Sequence, residues 1–240
     1  MLATVLAPIS RRLVYPRGET RIPVEDTTYD VTVRGAQLRG WVLNPGREHA
    51  LVYFGGNGEA LGWLRPELER RFPDHTSYLV AYRGYGASSG KPSQRALTAD
   101  AFALVDHAAH RHPEAPVDVL GRSLGSGVAV QVAAHRPIER LVLVTPFDSL
   151  AATAGDLFPR LPVRHLVKDR WDSAAIAPEV TADVLVLRAG RDALVRPART
   201  DALLRVLRPD THVVDFPDAG HSDLSEDPAY WKAIEDFLQP

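Results

Sequence analysis

The 240-residue sequence predicts an α/β fold: a mostly parallel central sheet with helices on both faces and an antiparallel hairpin at the N-terminal side. Three observations carry that prediction. Short β-branched or aliphatic runs recur along the chain, and most are followed by segments with helical periodicity. These runs are apolar without alternation, which suits strands buried on both faces and joined by crossover helices. Only the opening departs from this order, where two strand-like runs flank the turn-forming Arg34-Gly35-Ala36.

Taken in order, the hairpin strands fall at 29–33 and 38–43. A strand at 50–54 leads to a helix over 59–72, and one at 77–81 to a helix over 94–110. The run 117–120 enters a helix at 123–134, and 141–144 enters an irregular stretch. Two further pairs follow, 184–189 with 198–207 and 211–216 with 228–238. With no internal repeat, low-complexity tract or linker, residues 1–240 read as a single domain. The segment 146–181, which holds Pro146, Pro159, Pro162 and Pro178, breaks the pattern. It is long enough for one or two short helices forming a small lid and too short for a separate cap domain.

Composition narrows the function. A hydrophobic share of 45% and a charged share of 24% exclude a disordered or fibrous chain. The formal net charge of -2 leaves no basic excess for phosphates, so no nucleic-acid partner is expected. There is no cysteine, which excludes disulfides, thiolate metal sites and cysteine nucleophiles. The apolar stretch 2–9 is broken by Pro8 and is far shorter than the ~20 residues of a membrane span. Its basic residues, Arg11 and Arg12, follow the apolar run, the reverse of a signal peptide, so a cytoplasmic location is expected.

The sharpest motif is Gly121-Arg122-Ser123-Leu124-Gly125, between the strand 117–120 and the small apolar helical run that starts at Gly127. Glycines flank a serine in this way where a tight turn strains its backbone and the strand and helix approach too closely for side chains. The competing reading makes Ser123 an ordinary helix cap. A serine hydroxyl is a weak nucleophile, so the motif calls for a histidine base and an acid that orients it. Asp192 follows the strand 184–189, at the carboxyl end where open α/β sheets carry their sites. Asp148, just after the preceding strand, is the rival acid. His221, in Asp218-Ala219-Gly220-His221, is the last histidine of the chain and follows the last strand. The other eight histidines read as surface or helix-end residues, and His107, His110 and His112 lack the spacing and acidic partner of a metal site. For a developing oxyanion, backbone N–H groups at Leu124 and at Asn57 of the Gly55-Gly56-Asn57-Gly58 loop are the expected donors. That loop could also be a plain strand-to-helix turn; it lacks the lysine of a phosphate loop.

Together with Tyr82-Arg83-Gly84-Tyr85-Gly86-Ala87-Ser88-Ser89-Gly90-Lys91-Pro92-Ser93, these segments resemble the serine-nucleophile α/β-hydrolases, in particular the bud-emergence-type or serine-aminopeptidase-like branch. The resemblance runs from about residue 28 to 238. It implies a nucleophile elbow at Ser123 and a catalytic triad in the chain order Ser123, Asp192, His221. It further implies esterase-like hydrolysis of a small acyl substrate through an acyl-enzyme, with no cofactor and no metal. Where the branch carries His-Gly-Asn, this chain has Gly55-Gly56-Asn57, a change expected to loosen the oxyanion loop. Phe147, Leu150, Trp171 and Leu194 are the expected substrate contacts, and Leu157, Phe158 and Leu161 complete an apolar roof. Two alternatives stay open: an aminopeptidase in which Asp148, Asp156, Asp169, Asp172 or Glu179 binds an amine, and a non-catalytic binding protein that keeps the fold.

Overall fold

In the computed structural model, which describes residues 11 and 14–239, one sheet gathers eight strands. They are β1 (Tyr29–Val33), β2 (Ala36–Leu43), β3 (His49–Phe54), β4 (His75–Val80), β5 (Val117–Arg122), β6 (Ile138–Val144), β7 (Asp183–Ala189) and β8 (His212–Phe216). The order across the sheet is β1-β2-β4-β3-β5-β6-β7-β8. β1 pairs antiparallel with β2 through Val33 and Ala36, the expected hairpin, and β2 is also antiparallel to β4. Every other pairing is parallel. The reading of residues 2–9 lies outside the described residues.

The strand residues explain why the apolar runs do not alternate. Val52, Phe54, Val119, Leu141 and Leu143 enter a core with α2 (Gln94–Arg111), α3 (Leu124–Ala133) and α7 (Pro197–Leu204) on one face. Leu51, Tyr53, Leu120, Val142 and Val144 enter a second core with α1 (Arg65–Arg71) and α8 (Pro228–Leu238) on the other. Both faces of the central strands are dry, so both sets of side chains must be apolar.

One helix differs from expectation. Residues 61–64 form a single 3-10 turn, and α1 begins only at Arg65. Pro66 has no N–H to give to the carbonyl of Gly62, so a continuous α-helix cannot cross this point, whereas proline suits a first turn. The lid segment forms α4 (Leu150–Leu157), α5 (Val163–Leu166) and α6 (Ser173–Ile176). Ser149 caps α4 by accepting the Ala152 N–H. Among the described residues no helix is long and apolar enough to cross a membrane.

Candidate active site

Ser123 stands between β5 and α3 with φ 51° and ψ -114°, a conformation that costs a side-chain-bearing residue about 1–3 kcal/mol. Its side chain makes no capping bond to the helix, against the cap reading. The turn is held by the Ser123 N–H on the Val144 carbonyl (2.9 Å) and by the Ser126 N–H and hydroxyl on the Ser123 carbonyl (2.9 and 2.6 Å). A Cβ at Gly121 would lie 2.4 Å from the Gly125 carbonyl oxygen, and one at Gly125 would lie 1.9 Å from that of Phe54. No side chain fits at either position, which is why the motif spends two glycines there.

The Ser123 hydroxyl lies 3.0 Å from His221 Nε2, and His221 Nδ1 lies 2.6 Å from Asp192 Oδ2. A carboxylate only accepts, so Nδ1 carries the proton and Nε2 is left to accept from the serine. Asp192 is buried, and its other oxygen accepts the N–H groups of Leu194 (2.8 Å) and Val195 (2.7 Å). The loops bearing the acid and the base are also joined, because the Gly190 N–H donates to the Phe216 carbonyl and the Arg191 N–H to that of Ala219. Asp148 lies elsewhere: it accepts the Ser149 N–H and pairs with Arg199 at 3.1 Å. Burial raises the Asp148 carboxyl above its ordinary value, against the opposing pull of Arg199.

Leu124 is the first residue of α3, so its N–H has no partner within the helix and is free to face an anion. Asn57 lines the same cleft as Ser123 and Leu124. Its amide donates to the Val14 carbonyl and its Oδ1 accepts from the Tyr85 hydroxyl at 2.8 Å. Tyr82 donates to the Gly55 carbonyl (2.9 Å), and the Gly56 N–H donates to the Glu59 carboxylate. The loop is therefore tied at each residue from 55 to 57. A Cβ at Gly55 would sit 2.7 Å from Leu61 Cδ2, so this chain fills with Leu61 the space that a side chain would need.

Behind that loop lies a network that the sequence reading missed. Glu59 accepts from the buried Tyr53 hydroxyl (3.0 Å) and pairs with Arg122 (3.1 Å), which also reaches the His221 carbonyl at 3.3 Å. Burial, reinforced by the Glu59 charge, drives the Tyr53 phenol well above its ordinary value and keeps it a donor. The available signal was a charged residue at each of two sites that should be dry: Glu59 beside the glycine loop and Arg122 inside the serine motif.

A cleft of about 360 Å³ opens at Ser123, lined by Asn57, Leu124, Phe147, Leu150, Leu157, Phe158, Leu194 and further apolar side chains of α4 and α5. Phe147, Leu150 and Leu194 thus stand where substrate contacts were expected. Trp171 does not, and Leu161 is also outside this lining. The Trp171 indole is fully buried in the core and donates to the Tyr15 hydroxyl at 3.1 Å, so it does not roof the cleft. Val14 joins the cleft wall from a segment ahead of the region in which the resemblance was found. Two of the other histidines are buried: His75, on β4 and so contrary to the surface or helix-end reading, beside Asp118 (3.3 Å), and His112, at the end of α2, between Tyr78 and the Arg47 carbonyl (3.0 Å each).

The family described as serine aminopeptidase, S33, matches residues 50–172. An uncharacterized protein of Mycobacterium tuberculosis is 32% identical over 95% of this chain and 86% of its own length. The chain belongs to the α/β-hydrolase family. The lysophosphatidylserine lipase ABHD12 of Gallus gallus is 35% identical over 45% of this chain and 31% of its own length. Among solved structures, an esterase of Pyrococcus furiosus superposes with a TM-score of 0.74 at 19% identity, covering 93% of this chain and 95% of that one. The family fold accounts for the sheet order and for the site at the carboxyl ends of β5, β7 and β8.

Proposed function

We propose that this α/β-hydrolase is a serine esterase that cleaves an ester of an apolar acyl group through a covalent acyl-enzyme. The observation that carries the reading is the run of contacts from Asp192 through His221 to Ser123, ending in an apolar cleft. In this reading the Ser123 oxygen attacks the ester carbonyl while its proton passes to His221 Nε2. The carbonyl oxygen takes the negative charge and is met by the N–H groups of Leu124 and Asn57. Collapse breaks the bond to the alcohol, which leaves with the proton from His221. A water molecule then attacks the acyl-serine, its proton passes to His221 and on to the Ser123 oxygen as the bond breaks, and the acid is released. Asp192 holds the imidazole tautomer throughout. No cofactor is called for.

An ester is favoured over a peptide. Among the described residues no carboxylate lines the cleft that could hold a free amine. Asp148 and Asp156 are each paired with Arg199, and Asp169 with Arg11. A relative named a lysophosphatidylserine lipase and a structural neighbour named an esterase both carry ester-cleaving descriptions. The reading is tested with a fluorophosphonate probe and a nitrophenyl ester series. Wild-type protein is expected to be labelled once and to turn esters over, and Ser123→Ala to do neither. Labelling that persists in Ser123→Ala would sink the assignment.

A further inference from the structure

Nine large apolar side chains remain exposed among the described residues, and five of them, Leu157, Phe158, Leu161, Leu166 and Leu194, gather around the lid and the cleft mouth. Phe158 and Leu161 are each more than half exposed, at 53% and 58%. Isolated exposed apolar residues need no explanation, but a contiguous patch at a pocket mouth does. Leu157, Phe158 and Leu166 line the cleft together, and Leu161 follows one turn after Phe158, whose carbonyl accepts its N–H.

Over residues 157–172 the described exposed charges are mostly basic, Arg160, Lys168 and Arg170 against Asp172. Arg160, Lys168 and Arg170 are exposed, and among the described residues no ion pair engages any of them. Of the acidic groups nearby, the buried Asp169 pairs with Arg11, Asp156 shares Arg199 with Asp148, and the exposed Asp172 has no ion pair among the described residues. Arg160, Leu161 and Arg170 also share the wall of a second hollow on the far side of α4, which places basic and apolar groups on one surface. In a chain of net charge -2 this basic cluster is local and not a reflection of composition.

From this geometry we infer that the lid face docks on an anionic lipid bilayer. Leu161 and Phe158 enter the boundary of the acyl region, while Arg160, Lys168 and Arg170 meet lipid phosphates. Apolar insertion together with basic contacts is the combination that binds such surfaces, and either alone is weak. A protein partner with an apolar face would leave these three cations without a counter-charge. Docking in this orientation turns the cleft mouth toward the membrane, so an acyl chain reaches Ser123 without crossing water. The docking itself does not depend on the esterase reading; only the use made of the acyl chain does.

The test therefore uses full-length Ser123→Ala protein, in which binding is read without turnover. It is co-sedimented with vesicles of phosphatidylcholine alone or mixed with phosphatidylglycerol, at low and at high salt. Binding is expected to the mixed vesicles at low salt and to fall at least about tenfold at high salt, with much weaker binding to the neutral ones. Leu161→Asp and Arg160→Glu/Lys168→Glu are each expected to lower it about tenfold or more. In the Ser123 background neither change should alter hydrolysis of a water-soluble short ester or the melting temperature. Absence of sedimentation with the mixed vesicles overturns the proposal. So does equal binding to neutral vesicles, or undiminished binding by both variants. A concentration-dependent dimer that Leu161→Asp dissolves would assign the patch to a second copy of the chain and overturn it as well.

Discussion

Glu59 and Arg122 form an ion pair at 3.1 Å that is shared by three of the four loops of the candidate site. Glu59 anchors the Gly56 N–H, Arg122 neighbours Ser123 in sequence, and its other nitrogen reaches the His221 carbonyl. Both groups are largely buried, with side-chain exposures of 7% and 16%. Removing one partner from such a pair is expected to cost about 3–5 kcal/mol, since a buried charge is left uncompensated. Glu59→Ala and Arg122→Ala should each lower the melting temperature and reduce kcat more than they raise KM. The paired change Glu59→Gln/Arg122→Gln should recover part of the stability that either single glutamine variant loses. Strict additivity in that cycle would show that the pair does not act as a unit.

Asp192→Asn should lower kcat/KM on the order of 10³–10⁴-fold, because the imidazole would then favour the wrong tautomer. Asp148→Asn breaks only the Arg199 contact and should change turnover severalfold at most. Steady-state kinetics on one soluble ester compares them directly, and a larger loss at Asp148 would reassign the acid.

Gly55→Ala places a methyl 2.7 Å from Leu61 and should destabilise the protein by about 1–3 kcal/mol. Leu61→Ala empties that space at a cost of its own, about 2–5 kcal/mol. Denaturant unfolding of the double variant should show a loss smaller than the sum of the two.

Ala154 lines the cleft from α4. Ala154→Phe should shorten the space available to an acyl chain and shift the preferred nitrophenyl ester to fewer carbons. Each excluded methylene forfeits about 0.8 kcal/mol of burial, so the decline beyond the new limit should be steep. An unchanged length profile would mean that the acyl chain leaves the cleft elsewhere.

His107 packs against the rings of Tyr29 and Tyr78, with centroids 6.0 and 6.5 Å away, and its buried Nε2 has no partner among the described residues. Burial first, then the charges of Arg111 and His110, lowers its pKa below the ordinary value. The unfolded chain then binds the proton more readily than the folded one. Stability should therefore fall as pH drops through the ordinary imidazole value of about 6.5. His107→Gln should flatten that part of a melting-temperature profile.

The strands were legible because a sheet dry on both faces leaves unbroken apolar runs, as at 50–54 and 141–144. The strained serine turn was legible because only glycine fits at positions 121 and 125. Trp171 was misplaced for a physical reason: an aromatic in a lid segment suits a pocket roof and the protein core equally well, and its complete burial puts it in the core. The Glu59 and Arg122 pair was missed because the two charges, though each stands at a site that should be dry, are 63 residues apart and nothing in the sequence links them. The late start of α1 was available from Pro66, yet the apolar spacing of Leu61, Leu64 and Leu68 outweighed it.

The Val14 carbonyl holds the Asn57 amide, and the Tyr15 hydroxyl holds the Trp171 indole. Neither residue belongs to the sheet, and a domain drawn around the sheet alone would begin near residue 28 and discard both. Such a shortened protein could keep every strand and still lose the strut that sets Asn57. Boundaries for expression, and the placement of a purification tag, thus bear on catalysis as directly as an active-site substitution does. A fusion at the C-terminal end leaves that strut alone, whereas one that reaches into residues 14 and 15 pulls on the wall of the cleft.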